Sequence, residues 1–145
     1  MTSGVVYFDS SALVKLLVDE EGSDLVAELW DGCDAAVASR LAYPEVCAAL
    51  AAAHWNHDLE EEEIEIAESE WEEYWAGTRP VELTREVERD AGRLAREYGL
   101  RGADAVHLAS ARVLGDPELV VAAWDKKLCS SARAAGFRVA PVVVE

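Results

Sequence analysis

Residues 5–15 read VVYFDSSALVK, a short apolar run that stops at an acid and continues as a helix. The run Val5–Phe8 is β-branched and aromatic, which predicts a strand buried on both faces. The next three residues, Asp9 to Ser11, are of types that cap helices, and the apolar segment 12–17 follows them. The chain therefore opens with a strand, a carboxylate at the end of that strand, and a helix.

The same alternation of strand and helix continues along the chain. Further strands are predicted near 35–38, over 119–123 and over 139–144, and helices over about 22–31, 44–56, 85–98, 102–114 and 126–135. The acidic segment around 58–76 forms another helix, because its apolar residues recur at three- and four-residue spacing. This pattern predicts an α/β fold, a three-layer α/β/α sandwich with a short, mainly parallel sheet, built as one domain over residues 1–145.

The charge balance restricts the classes of partner. The chain has 145 residues and is 51% hydrophobic, which is typical of a globular domain, and its net charge is −16. Ten of the acids lie between 58 and 73, where no Lys or Arg occurs, so one helix carries most of the excess. This charge argues against a protein that holds nucleic acid or a membrane by bulk positive charge. A nucleic-acid enzyme remains possible, because metal ions can supply a local positive field.

The cysteines and the N-terminus indicate a compartment. The three cysteines form no C-x-x-C pair and are odd in number, which favours reduced thiols over a disulfide scaffold or a zinc site. No segment fits a signal peptide or a membrane span. We therefore expect a cytoplasmic protein that makes no use of a membrane.

Four acids stand out by position. Asp9 and Asp125 follow two predicted strands, and Glu45 and Asp104 lie in the first turns of two predicted helices. Each one taken alone is explained by helix capping, worth about 0.3 to 2 kcal/mol. Gathered in one crevice at the carboxyl ends of the strands, they would repel each other unless a cation lay between them. Oxygen ligands of this kind favour Mg²⁺ or Mn²⁺.

Four segments resemble, in order, the acidic motifs of the PIN-domain ribonucleases, in particular the VapC-type toxins of bacterial toxin–antitoxin pairs. They are FDSSALVK (8–15), YPEV (43–46), LRGADAVHLASA (100–111) and AWDKKL (123–128). The third segment is the most specific match. The chain departs from the family pattern at Ala123, where the family often carries Ser or Thr two residues before the last acid.

The resemblance implies metal-dependent endonucleolytic cleavage of RNA, with tRNA or ribosomal RNA as the expected substrate. Carried over by residue, it makes Asp9, Glu45, Asp104 and Asp125 the ligands of one or two Mg²⁺ or Mn²⁺ ions. Ser11 would support Asp9 or a bound water, and the products would carry 5′-phosphate and 3′-hydroxyl ends. The position of His107, three residues after Asp104, favours a packed or supporting histidine over a metal ligand. The family also implies a cognate VapB-like antitoxin and a homodimer.

Other side chains near the motifs permit two interpretations each. The cations that lie close enough in sequence to meet RNA phosphates are Lys15, Arg40, Arg101, Lys126 and Lys127. Each of them could equally be an ordinary surface cation that pairs with one of the many acids. The aromatic residues Trp71, Tyr74 and Trp75 on the acidic helix form either part of the core or a docking surface for the antitoxin.

Two other functional classes are compatible with parts of the pattern. One is a catalytically weakened PIN-like module that binds a partner protein or RNA without cleaving it, because Ala123 lacks a hydroxyl. The other is a receiver-like phosphoacceptor, which expects paired acids after the first strand. Ser10 and Ser11 follow Asp9 here, which disfavours the receiver.

Overall fold

The computed structural model describes residues 4–142, which contain five strands and seven helices. In chain order these are β1 (Val5–Phe8), α1 (Ser10–Val14), α2 (Ser23–Gly32), β2 (Ala35–Ser39), α3 (Ala42–Trp55), α4 (Glu61–Ala76), β3 (Thr78–Val81), α5 (Arg85–Tyr98), α6 (Gly102–Val113), β4 (Val120–Ala122), α7 (Lys126–Ala134) and β5 (Arg138–Ala140). The strands form one sheet in the order β3-β2-β1-β4-β5, and every pairing described is parallel.

The helices cover both faces of this sheet. Side chains alternate along β1, so that Val6 and Phe8 face one way and Tyr7 the other. The face with Val6 and Phe8 packs against α1, α2, α3 and α4, and the face with Tyr7 packs against α5, α6 and α7. The predicted three-layer α/β/α sandwich is confirmed, and the described sheet is parallel throughout.

The order of the strands places a crevice between β1 and β4. The chain builds β2 and β3 on one side of β1 and then crosses to build β4 and β5 on the other side. In open parallel sheets, ligands bind outside the carboxyl ends of the strands at such a switch point. Asp9 directly follows β1, and Asp125 follows β4 by three residues, so both acids lie at this edge.

Two strands differ from the sequence prediction. The strand β3 was not predicted, because it has four residues and contains Pro80, a residue that strands disfavour. It lies at the edge of the sheet, where a proline that cannot donate a hydrogen bond is tolerated. The last strand was predicted over 139–144 and is observed as β5, Arg138–Ala140; residues 143–145 lie outside the described part of the chain.

The helix α4 is acidic outside and aromatic inside. Trp71 is 1% exposed and packs against Tyr43 of α3 and Trp75, with ring centroids 5.9 and 5.5 Å away. Trp71 therefore belongs to the core, while Trp75 is only partly buried at its edge. None of the helices within residues 4–142 combines the length and the hydropathy that a membrane span requires.

Candidate active site

Asp9 lies between the end of β1 and the start of α1 and is held by two donors. Its Oδ1 atom accepts hydrogen bonds from the Ser11 hydroxyl at 2.7 Å and from the Ala12 backbone N–H at 3.0 Å, which also caps α1. The residue is 4% exposed. Burial raises the pKa of Asp9; His107 and these two donors lower it, and the charge of Glu45 raises it further. A buried carboxylate beside another acid is a site that a cation stabilises.

The Ser11 hydroxyl also connects Asp9 to the strand on the other side of the crevice. It accepts a hydrogen bond from the backbone N–H of Trp124 at 3.1 Å, just beyond the end of β4. Ala123 itself is fully buried in the core between the sheet and α5 to α7. Asp9 therefore has a hydroxyl partner although residue 123 carries none.

His107 holds the carboxylate of Glu45 by a hydrogen bond. This residue on α6 is almost fully buried, and its Nε2 atom lies 2.6 Å from Oε1 of Glu45 on α3. Burial lowers the pKa of His107, but the hydrogen bond to Glu45 and the charges of Asp9, Glu45 and Asp104 raise it by more, so the net shift is upward. Three of the four predicted acids therefore raise the pKa of His107.

Arg101 forms ion pairs with the two remaining acids, Asp104 and Asp125. Its Nε atom lies 3.1 Å from Oδ2 of Asp104, and a terminal guanidinium nitrogen lies 3.7 Å from Oδ2 of Asp125. Asp125 also caps α7, since its Oδ1 atom accepts the Leu128 N–H at 2.8 Å. The four acids thus come from four different helix starts; His107 pairs with Glu45, and Arg101 pairs with Asp104 and Asp125.

The carboxylates are turned toward these internal partners and not toward one common point. Within residues 4–142, no three Asp, Glu, His or Cys side chains are arranged to hold a single ion as they stand. The chemistry of the donor set nevertheless fits a hard divalent cation, because it consists of carboxylate oxygens of which one is buried. Arg101 would compete with such an ion for the Oδ2 atoms of Asp104 and Asp125.

The other predicted cations fall into two groups. The Lys15 side chain is 10% exposed, pairs with Glu20 at 3.1 Å and lies over the ring of Trp124. Arg40 pairs with Glu82 at 2.6 Å. Lys126 and Lys127 are exposed at the start of α7, and neither has an ion pair with the described residues.

The sequence reasoning missed Tyr7. It was treated as part of an apolar strand, yet its hydroxyl lies 2.7 Å from Nδ1 of His107 and 3.2 Å from the backbone nitrogen of Ser39. A signal was present, because a tyrosine in a strand buried on both faces needs a hydrogen-bond partner for its hydroxyl. Only the structure shows that this partner is the histidine of the third motif.

Comparison with known proteins identifies the family. The PIN domain profile matches residues 6–133. The chain is also 65% identical to ribonuclease VapC49 of Mycobacterium tuberculosis (strain ATCC 25618 / H37Rv) over 141 residues. The aligned region covers 97% of this chain and 98% of the relative.

Solved structures share the fold at low sequence identity. Mycobacterium tuberculosis VapC20, described as a sarcin-ricin loop cleaving toxin, matches with a TM-score of 0.66 and 18% identity over 91% of this chain and 95% of that one. A toxin–antitoxin complex from Klebsiella pneumoniae matches with a TM-score of 0.63 and 19% identity over 84% of this chain and 88% of that one. Profile, sequence identity and fold agree, and the chain belongs to the PIN-domain family as a VapC-type ribonuclease.

Proposed function

We propose that this chain is a toxin that cleaves RNA endonucleolytically, with its four crevice carboxylates holding one or two Mg²⁺ or Mn²⁺ ions. The proposed nuclease domain spans residues 1–145. The observation that supports the proposal is the set of contacts made by three of these acids, in which His107 pairs with Glu45 and Arg101 pairs with Asp104 and Asp125. The fourth acid, Asp9, is buried at the end of β1. The substrate class follows from the relative named a ribonuclease, with which this chain shares 65% of aligned residues.

The residues have distinct tasks in this proposal. The bound ions would lower the pKa of an attacking water and stabilise charge that develops on the phosphate oxygens. The Ser11 hydroxyl and the Ala12 N–H orient Asp9, so that its Oδ2 atom is left free of these donors. His107 orients Glu45 in the same way. Its Nε2 atom hydrogen-bonds to Oε1 of Glu45, so Oε2 is left for an ion. No side chain is required as a nucleophile.

The RNA backbone would approach over α6 and α7. Lys126 and Lys127 have no ion pair there within the described residues, and Arg101, which is 80% exposed, would become available if an ion displaced it from Asp104 and Asp125. Lys15 and Arg40 are already engaged by acids, which makes them weaker candidates for phosphate contacts. Phosphate contacts of this kind position a nucleic acid without reading its sequence.

A cognate VapB-like antitoxin would bind the acidic layer formed by α1 to α4, on the face of the sheet opposite to α6 and α7. Lys15 and Arg40 are the only Lys or Arg residues before Arg79, so the α1–α4 layer strongly favours a basic partner. A groove of about 330 Å³ opens there between the end of α1 and α4. Its lining combines apolar and acidic side chains, among them Leu17, Val18, Leu59, Ile66, Glu63 and Glu70. An apolar segment with basic flanks fits this lining.

The proposed homodimer would use the outer face of α3. Five residues of this helix are exposed and carry no charge, namely Pro44, Cys47, Ala48, Ala52 and Trp55. An uncharged face allows two chains of net charge −16 to approach each other with little local repulsion. Because Glu45 lies on the same helix, such a dimer would place its interface next to the crevice. We place this assembly in the cytoplasm.

The direct test is cleavage of purified RNA by the partner-free chain. We expect discrete fragments of tRNA or ribosomal RNA with Mg²⁺ or Mn²⁺, carrying 5′-phosphate and 3′-hydroxyl ends, and none with EDTA. Asp104→Asn, prepared identically, should lose these fragments, which excludes a contaminating nuclease. Cleavage that persists in EDTA would overturn the metal-dependent mechanism.

The same experiment decides the second candidate function. The absence of a hydroxyl at Ala123 favours a PIN-like module that binds RNA or a protein without cutting. That module predicts no cleavage in any metal but retained RNA binding in a filter assay. The Ser11 hydroxyl on Asp9 favours the active nuclease instead.

Arg101 provides a further prediction, because it competes with a cation for two carboxylates. Replacing it in Arg101→Gln should tighten Mn²⁺ binding by roughly threefold, the value of an exposed ion pair of about 0.7 kcal/mol. The same change should raise the KM for RNA, because a phosphate contact is lost. Mn²⁺ titration followed by electron paramagnetic resonance measures the first effect. Arg96→Gln, an exposed change on α5, is the control, and equal Mn²⁺ affinities in all three proteins would contradict the competition.

A further inference from the structure

Tyr7 occupies a position where a phenylalanine would satisfy packing alone. The residue is fully buried in the core between the sheet and α5 to α7, and its ring meets the His107 ring edge-on at 6.0 Å between centroids. Burying a hydroxyl costs free energy unless it is hydrogen-bonded. The Tyr7 hydroxyl is bonded on two sides, to Ser39 on β2 and to His107 on α6.

The chemistry of the partners fixes the direction of the hydrogen bond from Ser39, and the protonation of the His107 ring sets the direction of the other. The backbone N–H of Ser39 can only donate, so the Tyr7 oxygen accepts from it at 3.2 Å. The phenolic proton is then free to point at Nδ1 of a neutral His107 ring, 2.7 Å away. Nε2 consequently carries the ring proton and donates it to Glu45. If the ring is doubly protonated, Tyr7 accepts from Nδ1 and Nε2 still faces Glu45.

We propose that Tyr7 is a positioning residue that holds Glu45, through His107, in the orientation needed to bind the catalytic cation. The relay runs from the β2 backbone through β1 and α6 to α3, with distances of 3.2, 2.7 and 2.6 Å. Its rigid end is the backbone N–H of Ser39 at the carboxyl end of β2, so the imidazole ring cannot turn over without breaking the relay. This inference rests on the proposed function, because it assigns Glu45 to cation binding.

The geometry also explains why the histidine alone is insufficient. A buried imidazole with only Glu45 as partner has an unpaired Nδ1 atom and can rotate to seek another. Partners of this kind, one step removed from the ligand, typically change metal affinity by about 10- to 100-fold. We therefore expect Tyr7→Phe, which removes one oxygen atom and keeps the ring, to weaken Mn²⁺ binding by about tenfold.

The test compares Tyr7→Phe with Tyr98→Phe, which removes a hydroxyl from a half-buried tyrosine against the same core. Tyr98→Phe should leave Mn²⁺ affinity and cleavage unchanged. Because Tyr7 acts through His107, its effect should disappear in the His107→Gln background, whereas independent effects would multiply. Mn²⁺ affinity is measured on the free protein, so the result does not depend on turnover.

Nitrogen-15 NMR of the metal-free wild type tests the relay without any substitution. With a neutral ring, the His107 Nδ1 resonance should lie at the value of an imine nitrogen that accepts a hydrogen bond, and Tyr7→Phe should shift it toward the free value. A free-imine resonance in the wild type, unchanged Mn²⁺ affinity in Tyr7→Phe, or multiplicative effects in the double variant would overturn the proposal. Failure of the wild type to bind Mn²⁺ or cut RNA would instead refute the proposed function.

Discussion

Asp9→Asn is expected to reduce RNA cleavage by about a thousandfold, equivalent to about 4 kcal/mol of transition-state stabilisation. Asp9 is the most buried of the four acids, and it is the only one whose carboxylate is held by both a hydroxyl and a backbone amide. The amide of asparagine removes the charge and one of the two oxygens that a cation would use. Single-turnover cleavage at saturating Mg²⁺ measures the loss.

The substitution is informative because the fold should survive it. Asparagine caps helices as well as aspartate does, and its remaining oxygen can accept from Ser11 and Ala12. Burial disfavours the charged form of Asp9, so replacing it with a neutral side chain also favours the folded state. Asp24→Asn, an exposed acid in the first turn of α2, is the matched control and should cleave at the wild-type rate. Cleavage by Asp9→Asn within tenfold of wild type would remove Asp9 from the proposed site.

The sequence was sufficient for the layers and for the ends of the strands. Apolar runs bounded by capping residues located β1 and β4, and the acids that follow them had to lie at one sheet edge once the strands were parallel. Asp9 and Asp125 do cap α1 and α7, as the simpler interpretation required. Capping and a place in the crevice are therefore not alternatives, since one carboxylate has two oxygens.

The sequence did not predict which partners the side chains of the site contact. Arg101 is three residues before Asp104, which indicates proximity, but its reach to Asp125 depends on how α6 and α7 pack. Likewise, Tyr7 and His107 are 100 residues apart, and only the packing of α6 on β1 brings them together. Short-range patterns do not encode such contacts. The edge strand β3 was missed for a related reason, because its pairing with β2 outweighs the poor strand propensity of Pro80.

Trp71→Ala is expected to lower the free energy of unfolding by about 3 to 5 kcal/mol, the largest effect on stability of any change considered. Trp71 is 1% exposed and fills the space between α3 and α4, so alanine leaves a cavity there. Its indole N–H is buried without a hydrogen-bond partner among the described residues, so part of the lost packing energy is offset.

Trp55→Ala separates this effect from the general loss of an aromatic side chain. Trp55 is 79% exposed at the end of α3, and its removal should change stability by less than about 0.5 kcal/mol at concentrations where the chain is monomeric. Urea unfolding followed by circular dichroism measures both variants. Equally small losses in the two variants would contradict the core role of Trp71. A large loss for Trp55→Ala that appears only at high protein concentration would instead indicate that the α3 face is buried between two copies, because association stabilises the folded chain by mass action.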